Sequence, residues 1–242
     1  MVDGTDWQDD TDGAHESRAH ALARARKIAA GVTMAAVAIA VWALVRPQPY
    51  GILIALLTAL PPLAIIAVVA RRNLFRIGLG TGYEANLGTA CAVPACTLFA
   101  RTLFDLNLIS WLPLTAFAAA VGIVFLTAAS RREIDLRRRW WRVLIAGLLT
   151  GAYAFGLLGQ ANVLLDRAPQ VVLRSRIIDK RPGHSRIATY HLTLAPFGPM
   201  IAPHDAAVSR DVYDAAELDE PACIRLHDGA LGMAWFTAAR CR

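Results

Sequence analysis

Five apolar runs separated by short polar breaks set out the first two thirds of this chain. Four carry no charged side chain: Ile28–Val45, Tyr50–Ala70, Trp111–Ala129 and Val143–Leu165. At about 1.5 Å of rise per residue, a run of 18 or more reaches roughly 27 Å, the thickness of a bilayer core. Each therefore predicts a membrane-crossing helix. The fifth run, Ala85–Phe104, is weaker and carries Asn86, Pro94 and Arg101. It reads as a span or as a re-entrant segment. Its flanks decide for a span. Arg71, Arg72 and Arg76 precede it, the arginine-rich stretch Ser130–Arg142 follows, and both belong on one side of a membrane. Two crossings must lie between them, and Trp111–Ala129 supplies only one.

Beyond Asp166 the pattern changes. Val171–Ile178 and Ile187–Ala195 are rich in β-branched residues, and Tyr190, Leu192 and Leu194 alternate with Thr189, His191 and Thr193. That is the period of a half-buried strand. Arg181-Pro182-Gly183-His184 supplies the turn between them. Ser209 can cap a short helical turn through Tyr213. Ala222–His227 and Ala230–Thr237 flank Asp228-Gly229, a two-residue hairpin signal. The predicted architecture is an α-helical membrane bundle of about five spans followed by a small β-rich domain of about five strands, a partly open barrel or sandwich. Its divisions are a polar tail (1–27), a helical domain (28–165) and the β domain (166–242).

Charge orients this layout. Of the 25 basic residues, 13 lie in the N-terminal tail and in the two loops around Arg71–Arg76 and Ser130–Arg142. This positive-inside distribution puts the N-terminus in the cytoplasm and the β domain outside. It also accounts for a pI near 9.5 without nucleic acid as a partner; the expected partners are the lipid bilayer and an envelope protein. The arginine-rich, alanine-rich composition suggests a bacterial source, and hence the inner membrane. The acidic start through Asp12 reads as disordered, with a short helix over His15–Lys27. The tail is not a secretory leader, because the run after it is too long and lacks a small-x-small cleavage site.

Local features within the spans have ordinary packing explanations. Pro61-Pro62 should kink the second helix. Gly78–Gly82 has neither a preceding strand nor a following Lys-Ser/Thr, so it is a connector rather than a phosphate cradle. Cys91 and Cys96, five apart, fall on different helix faces and read as small packing residues. Gly147 and Gly151 allow a close helix approach without implying a homodimer. Arg101 and Asp105 are spaced i, i+4 and form a candidate ion pair near the outer interface. An exposed pair of this kind contributes only about 0.3–0.5 kcal/mol, so Asp105→Asn is expected to be almost neutral.

The candidates for chemistry lie in the β domain: His184, His191, His204, His227 and Cys223. The chain has no His-Glu-x-x-His, Gly-x-Ser-x-Gly or Cys-x-x-Cys motif, and neither a catalytic residue nor a metal or cofactor site is assigned. Cys223 and Cys241 are the cysteines outside the spans, and an oxidising compartment would pair them. A hairpin about Asp228-Gly229 places Cys223 opposite Ala234, so that pairing requires the chain after Thr237 to turn back. The layout, together with the stretch His227-Asp228-Gly229-Ala230-Leu231-Gly232-Met233-Ala234-Trp235, resembles bacterial inner-membrane proteins of undescribed activity that end in a small extracytoplasmic β domain. The resemblance covers the last third of the chain and implies no activity. The expectation is a non-enzymatic envelope protein whose β domain binds a partner, with a transporter or channel subunit as the second reading and a membrane-anchored enzyme as the third.

Overall fold

In the computed structural model the described backbone covers residues 6–71, 74–78, 84–130, 136–182 and 190–241, with side chains described for 18–71, 74–78, 84–128, 140–182 and 190–241. Helices α1 (Asp6–Val45), α2 (Tyr50–Ala70), α3 (Gly88–Asp105), α4 (Leu112–Ser130) and α5 (Leu136–Leu164) come first. A two-residue parallel pair, β1 (Phe75–Arg76) with β2 (Ala85–Asn86), lies between α2 and α3. Strands β3 (Val171–Arg181), β4 (Tyr190–Leu194) and β5 (His204–Val208), helix α6 (Arg210–Ala215), and strands β6 (Pro221–His227) and β7 (Trp235–Arg240) follow.

Among the described residues three helical stretches are long and apolar enough to cross a membrane: Arg18–Val45, Tyr50–Ala70 and Trp140–Leu164. Leu112–Ala128 is apolar but shorter. Helix α3 is diluted by Arg101 and Asp105. It is nevertheless one continuous helix of 18 residues with Pro94 inside it, not the broken form of a re-entrant loop. The expectation of a disordered acidic start is corrected, because the backbone is helical from Asp6. Acidic residues suit the first turns of a helix, where the dipole favours negative charge, and the following alanines and arginines propagate it. Pro61 and Pro62 both sit within α2, which continues through them to Ala70. Of the glycine-rich connector only Gly78 is described; it exchanges hydrogen bonds with the Asn86 side chain.

Small residues set the helix packing. Ala25, Ala29, Ala36, Ala64 and Ala90 bury one layer between α1, α2 and α3. The backbones of α4 and α5 meet at Gly122, Gly147 and Gly151: a Cβ at Gly147 would lie 2.6 Å from Leu126, and one at Gly151 3.3 Å from the Ala118 carbonyl. Further along α5, Gly156 lies against the backbone of Leu98 and Phe99 on α3. The Gly-x-x-x-Gly pair is thus used inside the chain. Cys91 packs beside the alanine layer, but Cys96 is exposed on the bundle's outside, which corrects its reading as a packing residue.

The β domain is a curled antiparallel sheet in the order β5-β4-β3-β6-β7. Its core is Ile177, Leu192, Leu194, Ile224 and Phe236, with Phe197 edge-on to Phe236 at 5.2 Å. Ser209 caps α6, its hydroxyl accepting from the Val212 amide. Three strand expectations need correction. β3 runs to Arg181, beyond the predicted end at Ile178. β5 was not foreseen, because His204-Asp205-Ala206-Ala207-Val208 has little β-branched character. There is no two-residue hairpin at Asp228-Gly229: β7 begins at Trp235, and His227 pairs with Trp235 across a seven-residue loop, 228–234. The predicted turn residues Gly183 and His184 lie outside the described residues.

That longer loop moves the register, so Cys223 stands opposite Ala239 instead of Ala234. Cys241 follows two residues later and is joined to Cys223, with the Cα atoms 4.9 Å apart. No turning back is needed. In the chain-entropy view, a closed loop of sequence separation 18 stabilises the fold by about 3 kcal/mol. Replacing both cysteines with serine is expected to lower the domain's unfolding midpoint accordingly in a denaturant titration. Thiol labelling of the unreduced protein should reach neither residue.

Candidate functional site at the junction of bundle and sheet

The helices and the sheet are joined by polar side chains at the ends of apolar runs. Helix α3 ends in Asp105, and the next residues pass between the two edges of the curled sheet. On one side they act as a strand: Leu108 bridges Trp235, the Ile109 amide donates to the Ala234 carbonyl at 2.9 Å, and the Phe236 amide donates to the Asn107 carbonyl at 2.9 Å. On the other side the Asn107 amide stands in for a backbone. Its Nδ2 donates to the Ala207 carbonyl at 3.0 Å, and its Oδ1 accepts from the Ala207 amide at 2.7 Å. The linker therefore fills the gap between β7 and β5 and satisfies backbone groups on both edges.

The end of α5 holds the β6–β7 loop. Asn162 is fully buried; its Nδ2 donates to the Met233 carbonyl at 2.7 Å, and its Oδ1 accepts from the Leu231 amide at 2.9 Å. Its own carbonyl accepts from the Ala230 amide. Asp166 accepts from the Gly229 amide, the Trp235 indole N–H and the Ala168 amide. These donors, the Ala168 amide first and the Trp235 indole next, hold its carboxyl below the usual 3.8. A carboxylate with a depressed value contributes its stabilisation fully above the unfolded value, and that contribution disappears as pH falls through the lower folded value. The wild type should therefore be more stable than Asp166→Asn at neutral pH, with a gap that stays constant above about pH 4 and closes as acid is added. Paired denaturation curves across that range measure it.

Beneath this junction lies a layer of buried polar groups. Arg101 Nη2 and Asp105 Oδ2 are 2.8 Å apart, with the two side chains 8% and 18% exposed. The Tyr50 hydroxyl lies 3.0 Å from Asp105 Oδ2 and 2.9 Å from Gln160 Oε1. Gln160 Nε2 donates to Thr102 Oγ1 at 3.2 Å. The Arg101 guanidinium lies 5.9 Å from the Tyr50 ring centre, and its Nε is buried with no partner among the described residues. The predicted pair is present, but it is a buried element tying α2, α3 and α5 together, not an exposed pair snorkelling at an interface. Tyr50, Gln160, Asn107, Asn162 and Asp166 were not singled out from the sequence as site residues. The signal available was the appearance of amides and one phenol just where uncharged runs end.

Two of the described histidines are packed against aromatic rings. His227 stacks on Trp235 at 4.2 Å, and His204 packs edge-on to Phe236 at 5.7 Å. Burial lowers the pKa of His204 from 6.5, with Asp205 opposing the shift. His191 lies in β4 opposite Ala207, and Cys223 is taken up in the disulfide. Among the described residues no group of three or more His, Cys, Asp or Glu is placed to hold a metal ion. His184 lies outside them.

A cleft of about 680 Å³ opens between the α3–α4 linker and the sheet. Leu103, Leu106, Leu108 and Trp111 form one wall, and Arg181, His191, Thr193, His204 and Asp205 line the other. No family model, no curated protein and no solved structure matches this chain. The site is therefore read from its own geometry.

Proposed function

We propose that this chain is a non-enzymatic integral protein of the bacterial inner membrane. It crosses five times with its N-terminus in the cytoplasm and presents the β domain outside, as a fixed platform for an envelope partner. The observation carrying this reading is the joint itself. The sheet does not hang on a linker: the α3–α4 segment fills its open side, and Asn162 and Asp166 clamp its β6–β7 loop. A domain held at so many points is suited to present a surface in a defined orientation. The outer faces of the long helices support the membrane placement. Met34, Ile52, Leu63, Ile66 and Val69 are all more than half exposed, a surface for lipid rather than water.

Of the candidates for chemistry among the described residues, His204 and His227 pack on aromatic rings and Cys223 is held in the disulfide, which favours a binding role over an enzyme. The transport reading has one observation of its own, the polar layer of Tyr50, Arg101, Asp105 and Gln160. That layer is confined to helix ends. Asp105 is the last residue of α3, and Tyr50 is the first of α2. Deeper in the bundle the packing is of alanines, leucines and Ile54, which favours an anchoring role for the layer.

Two measurements test the proposal. Alkaline phosphatase fused after Arg242 should be active, and a cytoplasmic reporter at the same position should be silent. A photo-crosslinking residue at Arg225 or Thr237, on the exposed face of β6 and β7, should give a discrete protein adduct in cells, and one at Ile66 should give lipid adducts only. An inactive phosphatase overturns the topology, and equal adduct patterns at both positions overturn the platform.

A further inference from the structure

The cleft between the linker and the sheet has two chemically different walls. The linker wall is mainly apolar, its one amide, Asn107, being bonded to Ala207: Leu106 and Leu108 are buried, Leu103 is 43% exposed, and Trp111 stacks on Phe155 at 5.9 Å. This wall continues into the bundle's outer surface, where Leu112 is 74% exposed on the next residue of α4. The sheet wall is polar and carries both signs of charge. Arg181 Nη1 lies 3.2 Å from Asp205 Oδ2, and its Nε lies 3.3 Å from Asp179 Oδ2, outside the cleft. Thr193 Oγ1 donates to Asp205 Oδ1 at 2.7 Å. A cleft of this size suits a small ligand or the polar end of a larger one. Its position, with one wall merging into lipid-facing helix surface and the other set on the outer domain, suits an amphiphile lying at the membrane interface.

The charge arrangement narrows the head group. One guanidinium is shared between Asp205 in the wall and Asp179 outside it, so the wall itself carries one charge of each sign. A purely anionic head must compete with Asp205 and Asp179 for Arg181. A head with both a phosphate and a primary ammonium meets complementary groups. Among the described residues two of the five N–H donors of Arg181 are engaged by carboxylates, leaving donors for phosphate oxygen. Each carboxylate oxygen of Asp205 accepts one bond and retains a lone pair for an ammonium N–H. A quaternary ammonium has no N–H to give.

We infer that this cleft is a binding site for a zwitterionic phospholipid with a primary-amine head, its phosphate on Arg181, its ammonium on Asp205, and its first acyl carbons along Leu103, Leu106 and Trp111. The inference rests on the membrane reading above and adds a ligand to it.

The test uses the full chain, delipidated in detergent and reconstituted separately with phosphatidylethanolamine, phosphatidylglycerol or phosphatidylcholine of matched acyl chains. Lipid retained by the protein is then counted by native mass spectrometry. Retention of one phosphatidylethanolamine at several-fold higher occupancy than either other lipid is expected. Asp205→Asn should bring phosphatidylethanolamine down to the level of phosphatidylcholine. Arg181→Gln should reduce both, and Leu103→Trp should reduce all three lipids by narrowing the apolar wall. Size-exclusion elution and resistance of the Cys223–Cys241 pair to thiol labelling report that each variant is folded. Equal retention of the three lipids, a preference for phosphatidylglycerol, or unchanged selectivity in folded Asp205→Asn overturns the assignment. Failure of the wild type to enter bilayers at all overturns the membrane reading, and the ligand proposal falls with it.

Discussion

Asp105→Asn is expected to lower the stability of the folded chain by about 3–5 kcal/mol, the cost of leaving one partner of a buried ion pair uncompensated. The i, i+4 spacing alone suggests an exposed pair and a near-neutral change, and the packing reverses that. The Arg101 side chain is 8% exposed and Asp105 18% exposed, so neither can turn to water when the other is lost. Arg101 Nε already lacks a partner among the described residues, which leaves the guanidinium little alternative satisfaction. The Tyr50 hydroxyl, shared between Asp105 and Gln160, should bring a smaller loss of about 1–2 kcal/mol in Tyr50→Phe, since two ordinary hydrogen bonds go with it. Removing both charges together, as Arg101→Met with Asp105→Leu, should be better tolerated than Asp105→Asn alone, because no charge is stranded. Thermal unfolding of the detergent-solubilised protein, followed by size-exclusion chromatography of a fluorescent fusion, ranks the three. A loss below about 0.5 kcal/mol for Asp105→Asn would show the pair to be solvated.

The contrast between that pair's spacing and its burial marks where sequence reading stops. Helix spacing is local, so Arg101 and Asp105 could be placed on one face from four residues of separation. Their burial comes from Tyr50, 55 positions before Asp105, and from Gln160, 110 positions beyond Tyr50. No window along the chain contains that information. The boundaries of α2 fall where they were expected, because an uncharged run ends at a proline on one side and at arginines on the other. Helix α1 extends 22 residues before Ile28, since hydrophobicity marks where an apolar run begins, not where a helix begins.

The strands divide on the same line. β4 was legible from the alternation Tyr190, Leu192, Leu194, whereas β5 was not, because Ala206 and Ala207 carry almost no preference. The start of β7 was misplaced for a tertiary reason. Asp228-Gly229 is a good local turn, but the amides of Gly229, Ala230 and Leu231 are drawn onto Asp166 and Asn162. Those long-range bonds replace a short hairpin with a seven-residue loop, and the shifted register then brings Cys223 and Cys241 together.

The same loop supplies the other large expected effect. Gly229 has φ +78°, and a Cβ there would run into the Met233 carbonyl and lie 2.5 Å and 2.6 Å from the Asn162 amide atoms. Gly232 has nearly the same backbone, φ +73°, but a Cβ at that position meets nothing within 4 Å. Gly232→Ala should therefore cost only the left-handed conformation, about 1–2 kcal/mol. Gly229→Ala should cost clearly more, about 3–4 kcal/mol, because it adds an overlap that the buried neighbours can relieve only by giving up bonds. Asn162→Leu keeps a similar volume but strips partners from the Leu231 amide and the Met233 carbonyl, for an expected loss of about 2–4 kcal/mol. The two sites touch, so their effects should not add: a loop already released from α5 can move away from the overlap and has less to lose. In the Asn162→Leu background, Gly229→Ala should fall toward the cost of Gly232→Ala. Denaturation midpoints for the four proteins of this cycle measure the coupling, and protease cleavage within 228–234 reports release of the loop from α5. Equal losses for Gly229→Ala and Gly232→Ala in the otherwise wild-type chain would mean that the loop does not rest on Asn162, and that the end of α5 does not clamp the sheet.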